Sequence, residues 1–480
     1  MPSSTTSATP LTQHLPFALV AVLLGCLWLA GGASRADVIG QVIVRAASWA
    51  ILIAFVLFGP RPRLIEVRTV AALVFAAVAL TALQLVPLPP AAWTELPGRE
   101  VLTRAVAVLG EEQPWRPVSM SPGATVNALS SLIVPVVALL LAAALSRSEH
   151  WRTATILLGL VVASSLLGLL QFSGSHFDHP LINDVTGSVS GSFANRNHLA
   201  LFAGIGCILA PSWAFRDGHG ARWKPWTALG LTILFLLIIL ATGSRTGMLV
   251  GGLGIVIGLA IVRRPLASAL RRLPRRWTVA AITATVGGLV LAIVASIALD
   301  RAVSVDRATT TVINDELRIQ AFPVIVEMAK LYFPVGSGIG AFDPVYRIHE
   351  PSALLNIRYL NHAHNDLLEV VLDAGLPGLL ILATAVGWWF WRSATVWLRD
   401  AGSDASLARM GSGILLLVLI ASVTDYPART PMIMAVVVIA AIWLGASSVA
   451  EHGVNGLTRR SRRAKRRVLQ RGERRSETRA

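Results

Sequence analysis

Charge is scarce in this sequence. Of its 480 residues only 14% are charged, against about 25% in ordinary soluble domains. That shortage excludes a water-soluble fold for most of the chain. Cysteine is scarcer still. Cys26 and Cys207 both lie in apolar runs, and a disulfide framework is not indicated. The first fifteen residues are rich in Ser and Thr and hold no Lys or Arg, so they lack the basic start of a cleaved secretion signal. No Asp-x-Asp pair stands in a loop expected outside the membrane, and no close His/Cys cluster is present, so no bound metal and no cofactor is expected.

What the sequence has is hydrocarbon. The hydrophobic share is 54% and the mean hydropathy is +0.64. A bilayer core asks for roughly 20 apolar residues per helix. Such runs lie near 16–32, 38–59, 69–87, 128–146, 153–172, 198–215, 226–242, 246–263, 278–298, 366–391, 406–424 and 431–448. The chain therefore reads as an all-α polytopic membrane protein of about 12 transmembrane helices. A large, partly helical periplasmic loop, 299–365, separates the ninth from the tenth. The divisions expected are a disordered N-terminus at 1–15, a transmembrane domain at 16–450 and a basic tail at 451–480.

Loop charge sets the orientation. One set of connections is basic: Arg61 to Arg68, Arg147 and Arg152, Arg216 to Lys224, Arg263 to Arg276, Arg392 and Arg399, and the tail. The alternate set, 33–37, 88–127, 173–197, 243–245, 299–365 and 425–430, is less basic or mixed. Positive charge stays inside, which makes both termini cytoplasmic and the second set periplasmic in a Gram-negative inner membrane. Residues 459–480 carry eleven Lys or Arg against two Glu, more than half of the net +16. A nucleic-acid arm and a disordered cytoplasmic tail drawn to anionic lipid both fit that composition. The tail reading is preferred, with no nucleic-acid partner.

Chemistry is expected on the second side. Asn361-His362-Ala363-His364-Asn365-Asp366-Leu367-Leu368-Glu369 puts two histidines, two amides and two acids directly before an apolar run. On a helix, His362, Asp366, Glu369 and Asp373 share one face, and Asn365, Glu369 and Asp373 form a stripe. His362 and His364 are two apart and diverge on a regular helix, which argues against a zinc pair. Gly191-Ser192-Phe193-Ala194-Asn195-Arg196-Asn197-His198 opens the sixth span. Its amides and backbone N–H groups suit an anion or a sugar hydroxyl; a plain helix cap is the competing reading. Thr242-Gly243-Ser244-Arg245-Thr246-Gly247 places an arginine between two apolar runs, for function or as an interfacial anchor. In the long loop, 314–330 reads as an amphipathic helix carrying Arg318. The glycine run at 336–340 follows it, a structural turn or a phosphate cradle; no phosphate-loop lysine comes after it.

In their order and setting these motifs resemble the O-antigen ligase and polymerase superfamily, integral-membrane glycosyltransferases that act on polyprenyl-linked glycans. The resemblance rests on Gly-Ser-Phe-x-Asn-x-Asn-His-Leu-Ala at 191–200 and Ser-Arg-Thr-Gly at 244–247. It rests equally on Arg-x-x-x-Phe leading into Gly-Ser-Gly-Ile-Gly at 318–340, and on His-Asn-Asp-Leu-Leu-Glu through Gly-Leu-Pro-Gly at 364–378. It covers about 187–380 and leaves the first five spans unassigned. The resemblance implies catalytic roles for His364, Arg318 and Arg245. Substrate contacts are expected from Asn195, Arg196, Asn197, His198, His362, Asn365 and Glu369. It implies a polyprenyl-diphosphate-linked glycan donor, a glycan or lipid A–core acceptor, and a metal-independent inverting transfer by a ligase or a polymerase.

Arginine forks suit a departing diphosphate, and a histidine near neutral pH suits the acceptor proton. Glu369 or Asp366 can hold the ring of His364; spacing does not choose between them. The rival class is a transporter or flippase, which uses related halves and buried mid-membrane carboxylates. Here the halves look unlike, and Asp373 and Asp425 are the only acids read as buried.

Overall fold

The computed structural model describes residues 10–174, 179–182, 188–216, 223–272, 283, 287, 318–355, 360–398 and 405–445. Eight described helices are long and apolar enough to cross a bilayer: Ile39–Phe58, Leu64–Leu83, Pro122–Ala142, Arg147–Phe172, Arg196–Ala214, Lys224–Thr242, Arg245–Arg271 and Asp366–Leu398. Three shorter apolar helices, His14–Ala30, Ser406–Ala421 and Pro431–Gly445, fall on the expected first, eleventh and twelfth spans. The chain is an all-α polytopic membrane protein. All but two residues of the expected ninth span, and the whole basic tail, lie outside the described residues. The first helix begins at Pro10, inside the stretch expected to be disordered.

Burial sorts these helices. Arg196–Ala214 is the hub, buried along nearly its whole length. It packs on Lys224–Thr242, Arg245–Arg272 and Arg147–Phe172. Apolar tails of lipid give no hydrophobic drive for such contacts, so close approach of backbones matters. A Cβ on Gly254 would sit 2.5 Å from the carbonyl oxygen of Gly204, so glycine lets the two helices touch. The peripheral helices keep large apolar side chains outward, among them Ile53, Val56, Phe58, Leu380 and Phe390.

Connections expected on one side of the membrane meet one another. At one end, Gly40 N–H donates to Leu181 O, Ala194 N–H to Gly32 O, and Met432 N–H to Gly31 O. At the other, Arg63 N–H donates to Ala143 O, and the Trp443 indole N–H to His150 Nδ1 at 3.2 Å. The loops therefore sort into a mixed-charge end and a basic end, as the charge alternation requires.

A second, smaller core caps the mixed end. Ala321, Ile325, Met328 and Tyr332, from the helix at 318–332, pack on Phe342, Val345 and Tyr346 of Phe342–His349. The helix runs through Pro323, and the portion expected at 314–317 lies outside the described residues. The loop at 88–121 joins this cap through Arg99, which is fully buried. Its guanidinium donates to Pro97 O at 2.7 Å, Val118 O at 2.6 Å and Gly336 O at 3.0 Å. It also lies 5.6 Å from the centre of the Tyr332 ring.

The glycine run is occupied by backbone packing. Asp366–Leu398 is two helices merged across Gly375, at φ 56° and ψ −146°. Leu376 N–H donates to Pro334 O, and Ser337 and Gly338 N–H donate to Leu372 O and Asp373 O. Gln84 closes the joint, donating to Asp373 O at 2.9 Å and accepting from Ile339 N–H at 2.8 Å. A Cβ on Gly375 would fall 2.1 Å from Pro334 O, on a backbone that side chains resist. Gly375→Ala should therefore lower the thermal unfolding midpoint in lipid nanodiscs, by an amount equivalent to roughly 1–3 kcal/mol. Gly387→Ala, on the same helix with open space around it, should leave the midpoint unchanged or raise it.

Candidate functional site

The polar stretch before Asp366–Leu398 enters the mouth of the bundle as irregular backbone. Asn365 accepts Leu368 N–H at 3.0 Å through Oδ1, capping the helix. Asp366, Glu369 and Asp373 share one face, as their spacing predicts, and all three are buried. The expectation of only two buried acids, Asp373 and Asp425, is thus too low. Asp366 and Glu369 are buried as well, and Glu149 is buried at the basic end. Three buried carboxylates on one face require a cation. Arg429, from the 3₁₀ turn Pro427–Arg429, supplies it. Its guanidinium lies 3.1 Å from Glu369, 3.4 Å from Asp366 and 3.4 Å from Asp373. Burial alone would lower the Arg429 pKa, but these carboxylates outweigh it and raise it further. Asp366 also accepts Ser422 Oγ–H at 2.8 Å and Ala428 N–H at 3.1 Å.

Glu369 sets out the histidine stretch. It accepts Ala363 N–H at 2.7 Å and lies 2.9 Å from His362 Nδ1. An ionised carboxylate only accepts, so His362 Nδ1 carries the proton. Its Nε2 lies within hydrogen-bond distance of Ser34 Oγ, at 3.0 Å. Both ring nitrogens of His362 are engaged within the protein.

His364 differs. Its backbone lies in the left-handed region at φ 50°, uncommon for a side-chain-bearing residue. Its Nδ1 is 3.3 Å from Asp425 Oδ1. Spacing left Glu369 or Asp366 as the group that holds this ring; the structure gives that place to Asp425. The other Asp425 oxygen accepts Asn195 Nδ2–H at 2.9 Å and Asn197 Nδ2–H at 2.6 Å. Oδ1 also accepts Tyr426 N–H at 2.9 Å, and His198 Nε2 is 4.0 Å from it. Burial by itself would raise the Asp425 carboxyl. The hydrogen bond from His364 and the charges of His198, His364 and Arg318 outweigh it and hold the group below the usual carboxylate range. Burial lowers the His364 pKa more than Asp425 raises it, so the ring stays neutral at pH 7. Nδ1–H points to the carboxylate, and Nε2 is left as the basic nitrogen, with no hydrogen bond among the described residues.

Tyr426 fills the space between the three histidines. Its ring centre lies 4.4 Å from that of His362, 4.9 Å from His364 and 5.3 Å from His198.

The sixth-span motif reaches this cluster from its helix start. Asn195 Oδ1 caps the helix by accepting Asn197 N–H at 2.8 Å, so both amides turn toward Asp425. The preceding turn is held by Gln171, which accepts Ser190 and Gly191 N–H at 3.0 and 2.7 Å. Trp28 and Ser192 both bond to Ser164, at 2.8 and 2.7 Å. Arg196 is half-buried beside the turn at Gly243. Arg318, the first described residue of its helix, is half-buried and acts electrostatically on His198, His364, Asp425 and Tyr426. Arg245 is exposed at the first position of its helix, after the Gly243 and Ser244 turn. Thr246, next to it, bonds to Thr424 at 2.9 Å, the residue before Asp425. Arg245 thus stands at the rim, outside the set that bonds to Asp425.

Comparison with known proteins agrees with the motifs. Residues 230–383, about a third of the chain, match the O-antigen ligase family. The exopolysaccharide production protein ExoQ of Rhizobium meliloti (strain 1021) is 28% identical over 271 residues, 55% of this chain and 60% of that protein. The resemblance to the O-antigen ligase and polymerase superfamily is borne out. The family match includes Arg245, Arg318, His364 and Glu369 but ends short of Asp425 and Arg429 and begins after Asn195. Those outer pieces of the cluster are known from geometry.

Arg429→Met leaves three buried carboxylates without this partner, and should cost about 3–5 kcal/mol in denaturant unfolding in nanodiscs. A second expectation concerns pH. The unfolded His364 takes a proton near pH 6.5 and the folded ring only at lower pH. Its contribution is therefore complete above pH 6.5 and lost as pH falls toward the folded value. The stability difference between wild type and His364→Gln should be level above pH 7 and shift against wild type below 6.5, read from unfolding midpoints against pH.

Proposed function

We propose that this membrane protein of surface polysaccharide assembly is a glycosyltransferase. It would move a glycan from a polyprenyl-diphosphate carrier to an acceptor hydroxyl on the periplasmic face of a bacterial inner membrane, with both termini cytoplasmic. The observation that carries the reading is the contrast between two neighbouring histidines. His362 has both nitrogens engaged, whereas His364 directs Nδ1–H to Asp425 and keeps Nε2 as a base.

In this reading Nε2 of His364 takes the acceptor hydroxyl proton as oxygen attacks the anomeric carbon. The bond from that carbon to the diphosphate oxygen breaks, and the leaving diphosphate carries the negative charge. Arg318, already acting on the His364–Asp425 pair, and Arg245 at the rim meet that charge without a metal. Asp425 stabilises the imidazolium that forms. Asn195 and Asn197 hold Asp425, with His198 packed beside it, and His362, Asn365 and Glu369 hold the backbone on which His364 sits. Arg196 stays near the entry turn. A single displacement inverts the anomeric centre; a product of retained configuration would count against the scheme.

The acceptor defines two versions. A ligase moves a finished glycan to lipid A–core, and the family match supports it. A polymerase moves the growing chain to the next lipid-linked repeat, and the similarity to an exopolysaccharide production protein favours it. Purified protein in lipid, with chelator, would be given a polyprenyl-diphosphate oligosaccharide with and without lipid A–core. A ladder without lipid A–core identifies the polymerase; single transfer that requires lipid A–core identifies the ligase. No product from folded protein given its native glycan would favour the transporter class instead. His364→Ala and Arg318→Ala should each reduce transfer by about 10²–10⁴-fold while the protein still inserts. Near-normal output from either variant refutes the assignment.

A further inference from the structure

The basic end holds a cavity that the proposed reaction does not use. Its volume is about 340 Å³, and it lies between the start of Leu64–Leu83, the last turns of Asp366–Leu398 and the end of Pro431–Gly445. Arg68, Arg392, Trp388 and Trp391 line it, together with Glu66 and Gly445. Arg392 is buried. It donates to Leu444 O at 3.2 Å, which fixes the guanidinium against the end of the last helix, and its charge lies 5.6 Å from the Trp391 ring centre. Arg68 is exposed at the opposite wall. The adverse charge, Glu66, is offset by Arg63 at 3.9 Å.

We propose that this cavity binds the phosphodiester headgroup of an anionic phospholipid from the leaflet at the basic end. Three observations select that occupant. Two arginines from different helices, Arg68 and Arg392, line the one cavity, and guanidinium forks match the geometry of phosphate oxygens. Two large apolar side chains of the lining are exposed: Ile65 and Trp391 are 85% and 62% accessible. Such a lining suits acyl chains and not a soluble anion. Trp388 and Trp391 line the groove at the basic ends of apolar helices, and tryptophans and basic pockets between helices are features of headgroup-level lipid sites. The volume also falls in the range of small-ligand sites.

The test uses full-length protein, delipidated in neutral detergent, with tryptophan fluorescence as readout. Phosphatidylglycerol with brominated chains would be titrated against brominated phosphatidylcholine. Wild type should bind the anionic lipid at least fivefold more tightly. Arg68→Gln, an exposed change that leaves the packing of Arg392 intact, should weaken phosphatidylglycerol about fivefold and phosphatidylcholine not at all. The basic tail is present in both proteins, so its own attraction to anionic lipid cancels from the comparison of wild type with Arg68→Gln, which is the deciding one. Equal affinity for the two lipids overturns the proposal, as does an unchanged Arg68→Gln titration. Displacement of bound phosphatidylglycerol by millimolar inorganic phosphate would make it a soluble-anion site and overturn the lipid assignment. Glycan transfer is not read, so the outcome is independent of the proposed reaction.

Discussion

The site depends on the meeting of Arg429 with three buried carboxylates. Asp366, Glu369 and Asp373 fall on one helix face at the mouth of a membrane bundle, where an unpaired charge is expensive. A single guanidinium touches all three, which ties the short loop 425–430 to the helix beginning at Asp366. Both histidines of the stretch are positioned by those two pieces. Glu369 holds His362 and the Ala363 backbone, and the same loop delivers Asp425 and Tyr426. Loss of the guanidinium would therefore disturb the geometry of His364 without touching it. The ion network around Arg429 and the His364–Asp425 pair thus share one loop.

Much of the fold was legible from apolar run length alone, because a bilayer imposes length and composition together. Eleven of the twelve expected spans coincide with described apolar helices. The sorting of loops by charge was legible for the same reason, and contacts within each end agree with it. Part of the site was legible too. The spacing of Asp366, Glu369 and Asp373 put them on one face, and Asn195, Asn197 and His364 were singled out as polar groups at helix mouths. Their partners were not legible. Asp425 lies 61 residues from His364 and 230 from Asn195, and no periodicity links positions in different spans. Arg429 sits in a six-residue loop with nothing to mark it except the acids it faces. Asp425 was visible as a buried acid, yet spacing offered Glu369 and Asp366 as nearer partners for His364. Both were already taken, by His362 and by Arg429.

The early spans show a similar limit. They hold no motif, yet Trp28, Ser164 and Gln171 fix the turn before Asn195, Ser34 meets His362, and Gln84 and Arg99 join the two outer loops. Each is a single polar side chain in apolar or irregular sequence. Such residues carry no local pattern, because most of their partners lie far along the chain. The glycine run at 336–340 illustrates the converse. A motif that invites a ligand is explained by close backbone approach to the break at Gly375.

Two histidines separated by one residue end in different chemical states, and the cause is the count of partners. His362 meets a carboxylate on one nitrogen and a hydroxyl on the other, so its tautomer and orientation are fixed and no lone pair remains. His364 meets a carboxylate on Nδ1 only, which fixes the same tautomer but leaves Nε2 basic. Burial holds that ring neutral, and Asp425, kept charged by its two amides and its neighbours, favours the protonated form only once a proton arrives. A base that is neutral at rest and stabilised when protonated is what removal of a hydroxyl proton requires. The left-handed backbone at His364 is the conformational cost of turning the ring from the Glu369 side to the Asp425 side within two residues.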